Sequence, residues 1–302
     1  IQYLPNGNIL AIVWDKKTAT EAEDAGRNPS NLGETLWAEK IIEIEPVGTN
    51  SANIVWEWYV WDHLVQDFNN TKPNYGVVED NPQLINLNYF SGQPNSEDWL
   101  HINSVYYHPE FDQLILSVHN FHEVWIIDHS TTTAEAAAHS GGTYGQGGDL
   151  LYRWGNPQTY DRGAANDQVF FAQHDARWIE QGEDEGKIMV YNNGVNRPEG
   201  NYSSVDIIVP PVDENGFYTI NSGEPFEPEN LDWTYIAETP TDFYSQSISG
   251  AERLPNGNTL ICEGQNGHFF EVDNNGNIYW DYVNPVSTNG PVEQETEVGQ
   301  PG

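Results

Sequence analysis

One heptapeptide constrains this chain more than any other feature. Leu4-Pro5-Asn6-Gly7-Asn8-Ile9-Leu10 returns near the far end as Leu254-Pro255-Asn256-Gly257-Asn258-Thr259-Leu260. Each copy leads into a strand-like run (Ile9 to Trp14; Thr259 to Glu263). A second run follows (Lys40 to Glu45; His268 to Asp273), then one bearing a Trp (Asn53 to Val60; Asn277 to Val283). Asn-Gly pairs between alternating apolar residues are strong hairpin signals. A supersecondary unit that recurs in one chain is the mark of a repeat architecture.

Two further units follow the same plan. One comprises His101 to Tyr107, Gln113 to His119, Glu123 to Asp128 and Leu150 to Trp154; the other comprises His174 to Glu180, Lys187 to Asn192, Ser204 to Val209 and Leu231 to Ile236. Four units of about four strands, each closing on a Trp-bearing strand (Trp56, Trp154, Trp233, Trp280), predict an all-β chain built as a β-propeller with loop and short-helix insertions. A two-sheet sandwich would not need this repeated grammar. Aligning the repeats sets His174 opposite Ser249 and brings His101 into the same register, so the three are expected to face one axial cavity. The expected organisation is a single propeller domain over 1–302, continuing beyond the N-terminus shown and, through the tail from Val286 to Gly302, beyond the C-terminus.

The insertions carry weaker expectations. Lys16 to Thr35 is polar and reads as an exposed loop. Trp61, Leu64, Val65 and Phe68 have the spacing of a short amphipathic helix. Ser130 to Gly148 ends in Gly141-Gly142-Thr143-Tyr144-Gly145-Gln146-Gly147-Gly148; without a strand before it and a helix after it, this is no phosphate loop and reads as a flexible connector.

Charge narrows the partners. The 302 residues hold 11 basic against 46 acidic side chains, a formal net charge of −35. Nucleic acid and anionic membrane surfaces would be repelled, and no run approaches the length of a membrane span. An acidic, solvated shell fits an extracellular or periplasmic setting. The 11 Trp, 16 Tyr and 11 Phe supply a core despite the low mean hydropathy. Cys262 is the only cysteine, which excludes an internal disulfide and a cysteine-based metal site. A homo-oligomer remains compatible with all of this.

Against so acidic a background, four arginines (Arg153, Arg162, Arg177, Arg197) cluster around His174 and point to an anion site. His101-x-Asn103 would place an imidazole and a carboxamide on one face of a strand, both able to donate to an oxyanion. His174 offers a nucleophile or general base, whereas the carboxylate of Asp175 would fall on the opposite face. Converging histidines also raise Zn²⁺ or Fe²⁺ binding, but His-x-His and His-Glu-x-x-His spacings are missing, so no metal is expected. Asp273-Asn274-Asn275-Gly276-Asn277 starts like a Ca²⁺ loop and lacks the closing Glu, which makes it a hairpin turn.

The segments Asp98-Trp99-Leu100-His101-Ile102-Asn103-Ser104-Val105, Ile115-Leu116-Ser117 leading to Glu123-Val124-Trp125-Ile126-Ile127-Asp128, Tyr152-Arg153-Trp154-Gly155-Asn156-Pro157 and Gln173-His174-Asp175-Ala176, with the Leu-Pro-Asn-Gly-Asn turns, resemble the bacterial arylsulfotransferase (aryl-sulfate sulfotransferase) family along essentially the whole chain. The resemblance implies a six-bladed propeller, about four blades of which are visible here. It also implies transfer of a sulfuryl group from an aryl sulfate ester to a phenol, independent of PAPS and of any cofactor. It maps the family's transiently sulfated histidine onto His174, and the paired His and Asn that hold the sulfuryl oxygens onto His101 and Asn103. A family arginine falls at position 119, where this chain has His119; another family histidine would precede Ile1. Against the enzyme stands a propeller that has lost catalysis and acts as an extracellular binding or structural module.

Overall fold

The computed structural model describes residues 1–90, 96–287 and 290–291. The first sheet runs β1 (Gln2–Tyr3), β2 (Ile9–Thr18), β3 (Thr35–Val47) and β4 (Ser51–Tyr59). A short parallel pair follows, β5 (Leu64–Val65) with β6 (Ile85–Asn86). The second sheet holds β7 (Ile102–His108), β8 (Gln113–Val118), β9 (Glu123–Asp128) and β10 (Tyr152–Trp154). The third holds β11 (His174–Trp178), β12 (Ile188–Asn192), β13 (Ser204–Ile208) and β14 (Trp233–Tyr235). The fourth holds β15 (Gly250–Arg253), β16 (Thr259–Glu263), β17 (His268–Val272) and β18 (Ile278–Val283), and a two-residue hairpin, β19 (Val286–Ser287) and β20 (Gly290–Pro291), comes after it. The rest of the expected C-terminal continuation lies outside the described residues. In every four-stranded sheet each strand pairs antiparallel with its sequence neighbour, the meander of a propeller blade.

The heptapeptide works as its sequence suggests. Gly7 and Gly257 turn with φ of +88° and +85°, a conformation that glycine adopts without strain. Asn6 and Asn256 accept from the amides two residues on, closing the turns locally. In addition, the side-chain amides of Asn6 and Asn8 both donate to Glu43 on β3, and those of Asn256 and Asn258 both donate to Glu271 on β17. The turn is thus pinned to the third strand of its own sheet, the same way twice. The four tryptophans lie on β4, β10, β14 and β18, the fourth strand in each case.

By packing, the chain divides into two compact units: Ile1–Val169 with Pro211–Glu227, and Phe170–Pro210 with Pro228–Gly302. In the first unit, Trp58, Trp99, Phe121, Trp125, Leu114 and Leu116 form one continuous core. Every residue of β8 and β9 is buried, so both faces of that sheet are covered. Part of the cover is the borrowed segment 211–227. Gln113 donates to the Gly216 carbonyl (2.8 Å) and accepts from the Tyr218 hydroxyl (3.0 Å), and Tyr218 stacks on Tyr152 at 5.0 Å. The second unit is centred on Met189, Tyr191, Ile207, Phe243 and Phe270.

The insertions depart from expectation. Within 16–35, β2 continues to Thr18 and helix α1 (Ala19–Ala25) follows, opened by a Thr18–Glu21 capping box, closed by Gly26 in the left-handed region, and burying Ala22 and Ala25. The stretch 61–68 is not a helix. A single 3₁₀ turn, Val60–Asp62, gives way to β5, because pairing with β6 lets the Ile85 and Leu87 amides reach the His63 and Val65 carbonyls. The glycine-rich stretch is packed: helix α2 (Thr133–Ala136) carries a Thr132–Glu135 capping box, Tyr144 donates to the Phe111 carbonyl at 2.6 Å, and Gly147 and Gly148 are buried.

Candidate active site

In the first unit the structure brings together His101 and His119, whose ring centroids are 5.0 Å apart. His101 immediately precedes β7 with φ of +55°, so the strict alternation of a strand does not reach it. A bulge then sets Ile102 opposite Val118 and Ser104 opposite Ser117, leaving Asn103 as the extra residue. The argument that placed His101 and Asn103 on one strand face therefore fails, although Asn103 stays at the head of β7. His119 opens a 3₁₀ turn just after β8 and is not in that strand. Its amide bonds back to the His101 carbonyl (3.2 Å), and the Asn120 amide to the Leu100 carbonyl (2.9 Å), which holds the two histidines side by side.

Hydrogen bonds fix how these rings are presented. His101 Nδ1 is 2.6 Å from Asp98 Oδ2, and that bond raises the imidazole's pKa above its ordinary value against an opposing effect of burial. The side-chain nitrogen of Asn120 donates to the Asp98 carbonyl (2.9 Å), so its oxygen faces His119 Nδ1 at 2.7 Å and accepts from it. His122, which the sequence reading passed over, follows in the left-handed conformation. Burial, with the charge of His119 added, lowers its pKa to about 4, so it is neutral at physiological pH.

Beneath this turn lies Glu39 of β3, only 1% exposed. It accepts from the Ile102 amide (3.2 Å), and its Oε2 has no hydrogen-bond partner among the described residues. Burial, with Asp98 nearby, raises its pKa to about 8. Folding therefore favours the protonated acid: the penalty is nil below the ordinary carboxylate range and grows until the pH passes about 8. Glu39→Gln keeps the neutral shape, so the variant is expected to match wild type in urea unfolding at pH 4 and to exceed it by a few kcal/mol at pH 8.5. Equal stability at both pH values would mean that Glu39 ionises freely in the folded chain.

In the second unit, His174 begins β11, between Ala172 and Asp175, which have φ of +59° and +54°. Its Nδ1 lies 2.8 Å from Asn193 Oδ1 and 3.2 Å from the Ala172 carbonyl. Asn193 in turn donates through Nδ2 to the Ser245 carbonyl (2.7 Å) and to Ser249 Oγ (2.9 Å), which leaves its oxygen for the imidazole. Two acceptors at Nδ1 put a proton there. Register alone had paired Ser249 with His174; the residue that joins them, Asn193, was missed, since nothing marks one Asn among the many here. Asp175 does not orient the ring: it accepts from Arg177 (2.7 Å) and from the Ala251 amide (3.0 Å).

Each of the four arginines is bound into the scaffold of its own unit. Arg153 pairs with Glu123, Arg162 reaches the Glu79 and Glu224 carbonyls, Arg177 pairs with Asp175, and Arg197 bonds the Tyr202 carbonyl and Ser204. Distant groups claim Arg153 and Arg162, and sequence neighbours claim Arg177 and Arg197.

Tandem four-stranded meanders, two of them headed by an oriented histidine, define a protein of the propeller class. The chain belongs to the arylsulfotransferase family, whose model matches residues 1–295. No curated protein matches it. Among solved structures it is similar to a protein of unknown function from Bacteroides caccae (12% identity, 82% of this chain and 54% of that one, TM-score 0.36). It is also similar to the Cps50 (Swd1) β-propeller domain of Myceliophteria thermophila (9%, 83% and 57%, TM-score 0.41) and to virginiamycin B lyase from Staphylococcus aureus (8%, 93% and 63%, TM-score 0.35). The chain thus spans between 54% and 63% of the length of these three.

Proposed function

We propose that this protein transfers a sulfuryl group from an aryl sulfate ester to a phenolic acceptor, without PAPS, through a sulfohistidine at His174. The observation that carries the reading is the 2.8 Å contact of His174 Nδ1 with Asn193 Oδ1, because an acceptor there assigns a proton to Nδ1 and makes Nε2 the nucleophilic nitrogen of the ring in its neutral form. The Nε2 lone pair forms a bond to sulfur while the sulfur–aryl oxygen bond breaks, and the aryl oxygen leaves as phenoxide. With a phenol pKa near 10 that departure needs little acid assistance. The acceptor phenol's oxygen then attacks the same sulfur, its proton passes to solvent or to the departed phenoxide, and His174 is restored. The family resemblance assigns the holding of the sulfuryl oxygens to His101 and Asn103, with His119 at the place of the family arginine. Membership of the family and an acidic shell suited to an extracellular or periplasmic setting support this reading. His119 in place of arginine gives up a permanent, forked charge for a titratable one, and it is the residue that favours the rival, a non-catalytic binding module.

The test is donor turnover in the absence of acceptor. With 4-nitrophenyl sulfate, a burst of one nitrophenolate per chain and an acid-labile, base-stable sulfo-adduct on His174 are expected, together with ping-pong kinetics when a phenol is added. A protein that binds the ester and never releases nitrophenolate is the binding module instead.

Asp98 sets the alkaline side of the profile. Its bond keeps His101 cationic above the ordinary imidazole range, so donation to sulfuryl oxygen is complete at low pH and is lost as the pH rises through the elevated pKa. Asp98→Asn removes the cause of the shift. The alkaline limb of kcat/KM is expected to move to lower pH, and an unmoved limb would detach His101 from the reaction.

A further inference from the structure

The described residues hold another histidine cluster, in the first unit and built from none of the residues of the candidate active site. His63, completely buried, has Nδ1 2.8 Å from Asp149 Oδ1; His139 Nδ1 is 2.7 Å from the same oxygen, and the imidazole centroids are 5.9 Å apart. The two histidines and the carboxylate each offer one ligand atom, all within 4.8 Å of one another. We propose that His63, His139 and Asp149 form a binding site for a divalent transition-metal ion of the zinc type, which ties the glycine-rich insertion of the second sheet to the segment that follows β4.

Three observations make this a built site. First, His63 Nε2 faces the Ala136 carbonyl at 2.8 Å and donates to it, the outer bond that metal-ligating histidines commonly make to fix the tautomer and leave Nδ1 for the ion. Secondly, the ring is clamped. Trp58 lies parallel to it at 5.7 Å and is itself held through Nε1 to the Gly148 carbonyl (2.7 Å). A Cβ at Gly148 would fall 2.6 Å from His63 Nε2, so only glycine lets the chain pass there. Thirdly, charge and access favour a cation: Asp62 lies within electrostatic reach of both imidazoles, and the His139 side chain is 61% exposed, leaving a way in. Metal bonds of about 2.0–2.1 Å in tetrahedral geometry set ligand atoms roughly 3.3 Å apart. The 2.7 Å and 2.8 Å contacts must therefore open by about half an ångström each; His139, on the exposed side, supplies the first by moving outward, and the second requires a small shift of the Asp149 carboxylate away from the clamped His63 ring. On binding, any proton shared between a ring Nδ1 and the carboxylate is released to solvent as that nitrogen and that oxygen bond the ion. Two imidazoles and one carboxylate leave a fourth position for water and select Zn²⁺ or Co²⁺ over Ca²⁺ or Mg²⁺.

The experiment uses chelator-treated protein titrated with Zn²⁺ and with Co²⁺. One equivalent is expected to bind with micromolar or tighter affinity, to raise the thermal midpoint, and with Co²⁺ to give a visible absorption band of low-symmetry coordination. His139→Ala, at an exposed position that does not threaten the fold, is expected to weaken binding at least 30-fold and abolish the band. His268→Ala, which removes an imidazole lying between Glu263 and Asp281, is expected to change neither. No band and no thermal shift at millimolar metal, or binding that survives His139→Ala undiminished, overturns the proposal and leaves a hydrogen-bonded cluster alone.

Discussion

His174→Ala is expected to reduce turnover of 4-nitrophenyl sulfate by about four orders of magnitude or more, the usual cost of deleting a covalent nucleophile. The fold should survive. His174 sits at the start of β11, only partly buried, and the strand's ladder to β12 does not depend on its ring. The variant's thermal midpoint therefore separates lost chemistry from lost structure. Asn193 would keep its bonds to Ser245 and Ser249, so the surrounding network closes without the imidazole. Substrate binding with intact stability and no nitrophenolate is the signature sought. Turnover within tenfold of wild type would remove His174 from the mechanism.

Glu123→Ala is expected to destabilise the chain by about 3–5 kcal/mol, because it strands a buried cation. Arg153 and Glu123 are both fully buried and are joined through Nε to Oε1 (3.0 Å) and Nη2 to Oε2 (2.6 Å). Thr159 and the Leu84 carbonyl take the remaining guanidinium donors, and Trp125 Nε1 donates to the carboxylate at 2.8 Å. Removing the carboxylate leaves the charge, its desolvation cost and the unmet donors of Arg153 Nε, Arg153 Nη2 and Trp125 Nε1. Replacing both partners with apolar residues, Glu123→Leu with Arg153→Met, should cost much less, since no uncompensated charge remains. Urea unfolding of the single and double variants decides it: a double variant as unstable as the single one would mean that shape, not charge, governs the site.

What the sequence disclosed, and what it withheld, divides along physical lines. Strand identity was legible almost throughout: Glu123–Asp128 and Thr259–Glu263 begin and end where alternation and turn residues place them. Repetition made that reliable, because a pattern seen four times cannot easily be accidental. Insertions appear once, and there the reading slipped. The capping boxes Thr18-x-x-Glu21 and Thr132-x-x-Glu135 were visible signals for α1 and α2 that went unused. The spacing of Trp61, Leu64, Val65 and Phe68 misled, since four apolar residues fit one helical face as readily as a turn and a short strand. At the candidate site, the orientation of the side chains was not legible in the sequence. A positive φ at His101 and a bulge at Asn103 break the alternation on which any inference about facing depends. Asn193, Asp98 and Asn120 orient the histidines from distant or unremarkable positions, and only folding brings them there.

The loan of residues 211–227 to the first unit has a consequence for biogenesis. That unit's own continuous stretch ends at Val169, yet Gln113 and Tyr152 find their partners Gly216, Tyr218 and Glu227 only after the ribosome has also delivered β11, β12 and β13. The earlier half of the polypeptide must therefore wait, with the flank of its second sheet uncovered, until nearly sixty further residues have emerged. Translation order and completion order differ in this molecule, and the interval between them is when its β8–β9 surface is open to the wrong partner.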